Sequence, residues 1–334
     1  MAAQLGVLAG RRTRRVAAVV VDLDAAVRTR MAFIDADRDT PFEIGSVTKG
    51  LTGMLLADAV ERGETGLDTT VAALLPETTG YPVGSVMLRE LATHTSGLPR
   101  LPRSPVTVAR MLAAGYFGVD PYRGSTVSGV VAAACRQRLL GRGSYRYSNL
   151  GAAVLGHGLA RAAGCGYADL LDARVFAPLG MTGSGSDLPG VRRGWTALGR
   201  RSWPWHAGGY GPAGTGVVCT PNDIALLATG LLEGSAPGRV AIRPIAQARP
   251  GPPGRSTGLF WVIDHHADSG RTMVWHNGQT GGYSAFLALY PQARRAVAVL
   301  ADTANVARQQ RIALGLTRWL ISSTPVGTPP ASTA

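Results

Sequence analysis

The chain has 334 residues, of which 46% are hydrophobic and 16% charged, and its formal net charge at pH 7 is +13. This composition is typical of a globular protein with a sizeable core, and no apolar run approaches the roughly 20 residues of a membrane-spanning helix. The arginines are scattered and the aromatic residues are not interleaved with them, which argues against a nucleic-acid-binding surface. Anionic substrates or acidic carrier partners fit the positive charge better.

The cysteines and the first residues of the chain indicate the cellular compartment in which the protein is expected. Cys135, Cys165 and Cys219 are odd in number and have no metal-ligand spacing, so no disulfide framework is predicted. Basic residues before an apolar run resemble a signal peptide, but Asp22 ends that run and no small-residue cleavage site follows. We therefore expect a reduced, cytoplasmic protein; a mature secreted form is the alternative.

In chain order, the first predicted elements are strands at residues 15–22 and 28–34. A helix then begins at Ser46, with apolar residues spaced for one buried face and Gly63 as its stop. The motif "TPND" opens a later helix that runs through Leu232, with a threonine N-cap and a proline at its first position. Further helices are predicted between these two, at 86–93, 126–140, 149–163 and 167–173.

The last third of the chain is rich in strands, predicted at 259–264, 272–276, 284–290 and 297–301. An amphipathic helix over 305–321 and a tail over 322–334 of disordered composition follow. Strands at both ends predict an α/β (α+β) fold, in which one antiparallel sheet built from both termini is flanked by helices and an all-helical lobe is inserted. We place the α/β lobe at about 13–62 and 217–321 and the helical lobe at about 63–216, with a cleft between them.

The stretch "GSVTKG" contains the only lysine of the chain, since the other 33 of its 34 basic residues are arginines. Lys49 stands three residues after Ser46, and a helix places these two positions on one face. A desolvated ammonium can lose its proton whereas a guanidinium cannot, which favours Lys49 as a base and Ser46 as a nucleophile. An N-cap serine followed by a surface lysine fits the same pattern.

Two later motifs carry further polar groups. In "YRYSN", residues 145–149, a tyrosine could relay a proton and Asn149 could orient Lys49 or hold a substrate amide, although a packed tyrosine and a capping asparagine also fit. In "HNGQTGG", the glycines would let the backbone approach a ligand, so that the Gln279 N–H joins that of Ser46 in an oxyanion hole. His276 could then orient an anionic group, but a hairpin turn with an exposed histidine is equally compatible.

Ser-x-x-Lys, Tyr-Ser-Asn and His-x-Gly in this order resemble the β-lactamase-related serine hydrolases, in the branch of class C β-lactamases, D-alanyl-D-alanine carboxypeptidases, esterases and transesterases. Connecting stretches such as "LRELATHTSGLPR" and "GPAGTGVVCTPNDIALLATGLL" extend the resemblance over roughly residues 15 to 301. It implies a serine β-lactamase/penicillin-binding-protein-like fold without metal or cofactor. It also implies that Ser46 is the acylated nucleophile, Lys49 its general base and Tyr147 the proton shuttle. Substrate binding and the oxyanion hole are assigned to Asn149, His276, Asn277, Gly278 and Gln279.

The third motif departs from the family pattern, because it reads His-Asn-Gly where β-lactamases of this class carry Lys-Thr-Gly. The permanent cation that grips a β-lactam carboxylate is thus replaced by His276, which is largely neutral at pH 7, and Asn277 replaces a hydroxyl residue. The resemblance then implies an esterase or D-amino-peptidase-like hydrolase of small esters or amides, with weak β-lactamase activity. An acyltransferase that uses the same acyl-enzyme and a non-catalytic binding protein are the alternatives. Substrate identity and oligomeric state do not follow from the sequence.

Three smaller expectations concern other segments. The stretch before the first strand is short, so the N-terminal helix common in the family is expected to be reduced or absent. His265 and His266 lack metal-ligand spacing and are predicted to lie in a loop. The segment 203–206, "WPWH", predicts either an apolar wall at the mouth of the cleft or a surface loop held by two indoles.

Overall fold

Seven strands from both ends of the chain form one antiparallel sheet in the computed structural model, which describes residues 1–9, 14–245, 254–266 and 270–322. Its strands are β1 (Val16–Asp22), β2 (Thr29–Ile34), β8 (Arg255–Thr257), β9 (Val262–His266), β10 (Arg271–Gln279), β11 (Ser284–Tyr290) and β12 (Arg295–Ala301). Their order across the sheet is β2-β1-β12-β11-β10-β9-β8. The predicted fold class, with one sheet built from both termini, is confirmed.

The central strands are apolar because the sheet is covered on both faces. All seven residues of β1 are buried, and its side chains alternate between two core clusters, as the pleat requires. One cluster faces α2 (Val47–Glu61) and the helices that follow it. The other faces α10 (Val306–Ser322) and α1 (Ala2–Ala9).

The remaining helices are α3 (Val71–Leu74), α4 (Leu88–Ala92), α5 (Pro105–Phe117), α6 (Val127–Cys135), α7 (Asn149–Ala162), α8 (Tyr167–Leu171) and α9 (Pro221–Glu233). Short strands complete the structure: β3 (Phe42–Glu43), β4 (Gly185–Ser186) and β7 (Val217–Cys219) form a small sheet in the order β3-β7-β4, and β5 (Gly194–Trp195) pairs with β6 (Arg201–Ser202). The division of the chain into two lobes at the bounds given above stays a prediction.

Several elements differ from the sequence-based expectation. The strand predicted at 259–264 begins only at Val262, because Phe260 has a positive φ of 65° and its N–H bonds to the Ala92 carbonyl rather than within the sheet. The prediction that His265 and His266 lie in a loop is wrong, because they are the last two residues of β9. Of the two expectations for the N-terminal helix, reduced or absent, absence is wrong, since a helix of eight residues is present.

Two further findings concern the C-terminal helix and the lengths of the helices. The C-terminal helix reaches Ser322, and the predicted tail beyond it, residues 323–334, lies outside the described residues. Over the part of the chain that the structure describes, none of the helices combines the length and the apolar character needed to cross a bilayer.

Candidate active site

Ser46 lies at a turn between β3 and α2, where two strand ends meet the start of a helix. Gly45 before it has a φ of +52°, and a Cβ atom there would lie 2.6 Å from the Gln279 amide nitrogen. Ser46 is the N-cap residue of α2, but its side chain makes no capping hydrogen bond. The interpretation of this serine as only a helix cap is therefore wrong, and its hydroxyl is available for other partners.

Lys49 is completely buried one helical turn after Ser46. Its Nζ lies 2.8 Å from Ser46 Oγ and donates a hydrogen bond to the Ala213 carbonyl oxygen at 2.5 Å. Burial, and then the positive charge of Arg100, lower the pKa of Lys49 well below its usual value. The surface-lysine interpretation is wrong, and the amine is suited to accept a proton from the serine.

Tyr147 approaches the same hydroxyl from the segment before α7. Its OH donates a hydrogen bond to Ser46 Oγ at 2.8 Å, and its ring centre lies 5.0 Å from Lys49 Nζ. The guanidinium carbon of Arg100 lies 5.5 Å from the same ring centre. Ser46 Oγ is thus held between an amine and a phenol, with a fixed positive charge beside them.

Asn149 is the first residue of α7, and the helix is capped by Ser148, whose Oγ accepts a hydrogen bond from the Gly151 N–H. The Asn149 amide nitrogen donates to the Tyr122 hydroxyl at 3.3 Å rather than orienting Lys49. Its Oδ1 is buried and has no hydrogen-bond partner among the described residues. A substrate N–H placed here would satisfy that oxygen.

The end of β10 lies against the turn that carries Ser46. A Cβ atom on Gly278 would lie 1.8 Å from the Ile44 carbonyl oxygen and 2.8 Å from the Ser46 amide nitrogen, so only glycine fits. His276, on the same face of the strand, is 4% exposed, and its Nδ1 lies 2.6 Å from the Asn277 carbonyl oxygen. The interpretation as a hairpin turn with an exposed histidine is therefore wrong.

The side chains of Asn277 and Gln279 belong to the opposite face of β10, because side chains alternate along a strand. On that side, Gln279 Oε1 accepts a hydrogen bond from the Val306 N–H at the start of α10. The structure thus brings the Gln279 backbone, but not the side chains of these two residues, toward Ser46.

Three residues that contact the site were not identified from the sequence. The Ala213 carbonyl and Arg100 come from the stretches "GPAGTG" and "SGLPR", which carry the family resemblance but contain no motif of their own. Glu43 lies three residues before Ser46 and is 1% exposed. In the sequence its only signal is an acidic residue within the apolar stretch "PFEIGS".

A cavity of about 600 Å³ lies beside this site. The segment 203–206 lines it, together with Glu43, Leu188 and Val191, which favours the interpretation of "WPWH" as a wall over that of a surface loop. The Trp205 ring centre lies 5.2 Å from that of Tyr122, the partner of Asn149. Among the described residues, no group of three His, Cys, Asp or Glu side chains is arranged to hold a metal ion.

Known proteins resemble the chain in sequence. Penicillin-binding protein 4 of Amycolatopsis lactamdurans is 30% identical over 171 residues, which are 48% of this chain and 40% of that protein. Monacolin J acid methylbutanoyltransferase of Aspergillus terreus is 40% identical over 76 residues, which are 18% of each chain. The chain therefore aligns with less than half the length of these curated relatives.

Solved structures resemble it over nearly the whole chain. A class C β-lactamase from Rhodobacter sphaeroides shares 21% identity with a TM-score of 0.76, over 94% of this chain and 97% of that one. A D-stereospecific amidohydrolase from Streptomyces sp. shares 19% identity with a TM-score of 0.77, over 98% of both chains. At these identities the two structures show the fold.

A family model described as Beta-lactamase matches residues 6–316. Members of this family are serine hydrolases that work through an acyl-enzyme, and the relatives include a penicillin-binding protein and an acyltransferase. A match over nearly the whole chain, on the same fold, means that this chain belongs to the Beta-lactamase family.

Proposed function

We propose that the protein is a serine hydrolase that cleaves a small-molecule ester or amide through an acyl-enzyme on Ser46. One observation carries the proposal: Ser46 Oγ lies 2.8 Å from both Lys49 Nζ and the Tyr147 hydroxyl. A neutral Lys49 accepts the Ser46 proton while Oγ attacks the substrate carbonyl carbon. The bond to the Ala213 carbonyl holds the amine in place for this step.

The backbone N–H groups of Ser46 and Gln279 would bind the oxyanion of the tetrahedral intermediate. The close approach of Gly45 to Gln279 and of Gly278 to Ser46 supports this assignment, because it brings the two amide nitrogens to one place. When the intermediate collapses, the bond between the carbonyl carbon and the leaving group breaks; Tyr147 gives its proton to the leaving group and receives the proton that Lys49 took from Ser46. Water then releases the acyl group from Ser46.

Recognition of the substrate falls to Asn149 and His276 in this proposal. The unpartnered Asn149 Oδ1 accepts an N–H from the substrate. His276 takes the strand position at which related β-lactamases carry a lysine, and an imidazole lacks the permanent positive charge with which an ammonium binds a carboxylate. β-Lactamase activity is therefore expected to be weak.

Acyl transfer to an alcohol or amine is the second candidate. It is supported by the 40% identity over 76 residues to the methylbutanoyltransferase. The acyl-enzyme and its formation are the same, and only the acceptor that replaces water differs. A protein that binds ligands without turnover is the third alternative.

The test is intact-mass analysis after brief exposure to p-nitrophenyl acyl esters. An adduct of the acyl mass is expected on the parent protein and not on Ser46→Ala, and Lys49→Arg should slow its formation by at least about 100-fold, since a guanidinium cannot accept the proton. Ser128→Ala, on the exposed start of α6, is the matched control and should acylate normally.

The way in which the acyl adduct is lost distinguishes the three candidate functions. Faster loss of the adduct on addition of alcohols or amines, with formation of the transferred product, identifies an acyltransferase, and insensitivity to them identifies a hydrolase. Adducts that persist in Ser46→Ala would refute the assignment of the nucleophile. Ligand binding that is the same in Ser46→Ala, without any adduct, would indicate the binding protein.

A further inference from the structure

Three consecutive backbone N–H groups in the cavity wall donate to three carboxylates from separate parts of the chain. Trp205 N–H donates to Glu43 Oε1 at 2.7 Å, His206 N–H to Asp120 Oδ2 at 2.9 Å, and Ala207 N–H to Asp187 Oδ1 at 2.9 Å. The chain as a whole carries a net charge of +13, so these three carboxylates form a local acidic cluster around the loop. The wall is thus fixed through its backbone.

A second hydrogen bond ties Glu43 to the end of β10. Its Oε2 accepts from the Thr280 hydroxyl at 2.8 Å, and Thr280 directly follows Gln279. Glu43 itself belongs to β3, three residues before Ser46. One buried side chain therefore joins the turn that carries the nucleophile, the strand end that carries the second oxyanion amide, and the cavity wall.

The wall reaches the substrate side of the site through Trp205. Its ring packs against Tyr122, whose hydroxyl accepts from Asn149. A Cβ atom on Gly281 would lie 2.9 Å from Trp205 Nε1, so the indole also lies against the strand end. A displacement of this wall would therefore shift both Asn149 and the residues that follow Gln279.

We propose that Glu43 is a positioning residue for acylation: its carboxyl group holds the Trp205 wall and the Thr280 strand end in register with Ser46. The inference rests on the proposed acyl-enzyme function. Glu43 touches no reacting atom and acts through the geometry of the oxyanion amides and the wall. A misplacement of about 1 Å in such groups is enough to slow a reaction about 100-fold.

The protonation state of Glu43 makes this role testable. Burial raises the pKa of Glu43 to about 8, against the lowering effect of its bonds to Thr280 and Trp205. Near neutral pH the carboxyl group is therefore mostly protonated. Its Oε1 accepts from the Trp205 N–H, and the Thr280 hydroxyl, which donates to an ionised Oε2, can accept from a protonated one. The groups that act on it or share its cavity are Asp120, Asp187, Arg123, His206 and Tyr283. Ionisation would add a buried negative charge close to Asp120 and Asp187.

Two substitutions separate the effect of ionising Glu43 from the effect of removing its hydrogen bonds. Glu43→Gln reproduces the protonated form, since its amide oxygen can accept from Trp205 and its amide nitrogen can donate to Thr280. Glu43→Ala removes both bonds. Ester acylation of Ser46 is then followed by mass from about pH 6 to pH 10, with Glu61→Gln, at the exposed end of α2, as the control.

We expect Glu43→Ala to acylate about 10- to 100-fold more slowly at pH 7, and Glu43→Gln to restore most of that loss. Acylation of the parent protein should decline above about pH 8, as Glu43 ionises. That decline should be absent in Glu43→Gln and unchanged in Glu61→Gln. Parental rates in Glu43→Ala, or the same alkaline decline in Glu43→Gln, would overturn the proposal.

Hydrogen exchange tests the positioning without any turnover. Amides of the segment 203–207 should exchange faster in Glu43→Ala than in the parent, and at the parental rate in Glu43→Gln. If no ester acylates the parent protein, the proposed function fails while this readout still decides on Glu43. Unchanged protection of the segment in Glu43→Ala then refutes the role assigned to it.

Discussion

At the scale of single residues, the proposed acylation depends on the charge state of Lys49. Its Nζ contacts a hydroxyl and a carbonyl oxygen rather than a carboxylate, so its partners do not compensate a buried positive charge. The nearby guanidinium of Arg100 disfavours that charge further. Both effects favour the neutral amine that a general base requires.

Arg100→Gln should therefore shift the pH dependence of acylation. Loss of the neighbouring positive charge raises the pKa of Lys49, so the amine stays protonated to higher pH. The acid limb of the acylation rate, followed by adduct mass against pH, should move toward higher pH.

Arg103→Gln is the matched control, because Arg103 is also exposed and its loss changes the net charge equally. It should leave the acid limb in place. A limb that moves equally in both variants would show a general effect of net charge and contradict the local coupling of Arg100 to Lys49.

Sequence spacing predicted the pairs that lie close along the chain but not those made by the fold. Ser46 and Lys49 are three residues apart on one helix, so their contact follows from helix geometry. Tyr147 was joined to them only by the family resemblance. The Ala213 carbonyl meets Lys49 across 164 residues, and no local pattern encodes such a contact.

At the scale of elements, the close packing of β10 against the Ser46 turn depends on the absence of a side chain at Gly278. The Ile44 carbonyl occupies the place that a Cβ atom would take. Because that neighbour is backbone, it can make room only if the turn itself moves. The glycine therefore sets the distance between the two amides proposed as the oxyanion hole.

Gly278→Ala should force the Ser46 turn away from the end of β10. We expect acylation to slow by about 100-fold or more and the free energy of unfolding to fall by about 1–3 kcal/mol. Adduct mass and denaturant unfolding measure the two effects.

Gly115→Ala on α5 serves as its control, since nothing lies within 4 Å of the added methyl group. It should leave both quantities unchanged or raise stability slightly. Normal acylation in Gly278→Ala would show that the turn can yield without cost to the site.

Elements that are rich in buried residues were predicted, and an element without them was not. β1, β11, β12, α2 and α7 are buried over most of their length, and each was identified from its apolar residues. In contrast, α5 has no buried residue, so it lacks the pattern by which a helix is identified. In the structure, α5 begins with Ser104 as its N-cap and Pro105 at its first helical position.

At the scale of the whole molecule, the first and last helices cover one face of the sheet together. Leu5 of α1 is fully buried in the cluster that contains Ile312 and Leu316 of α10. A helix of eight residues has little stability of its own. Its stability in the protein therefore comes from this contact.

Leu5→Ala should lower the free energy of unfolding by about 2–5 kcal/mol, as expected for a buried leucine. Val7→Ala, on the same helix but 77% exposed, should change it by no more than about 0.5 kcal/mol. Chemical denaturation of both variants is the measurement. Equal effects would show that α1 is not part of the cooperative unit.

The pairing of β1 with β12 also constrains how the protein is made. Val16 lies opposite Ala301 in this ladder, so β1 leaves the ribosome long before the strand with which it pairs. Until then β1 has only β2 beside it, and an apolar ribbon buried on both faces in the native state is open to other chains. Closing so long a loop is slow, and such intermediates tend to aggregate. The yield of folded protein should therefore depend on the rate of synthesis and on chaperones more strongly than the stability of the folded state alone would suggest.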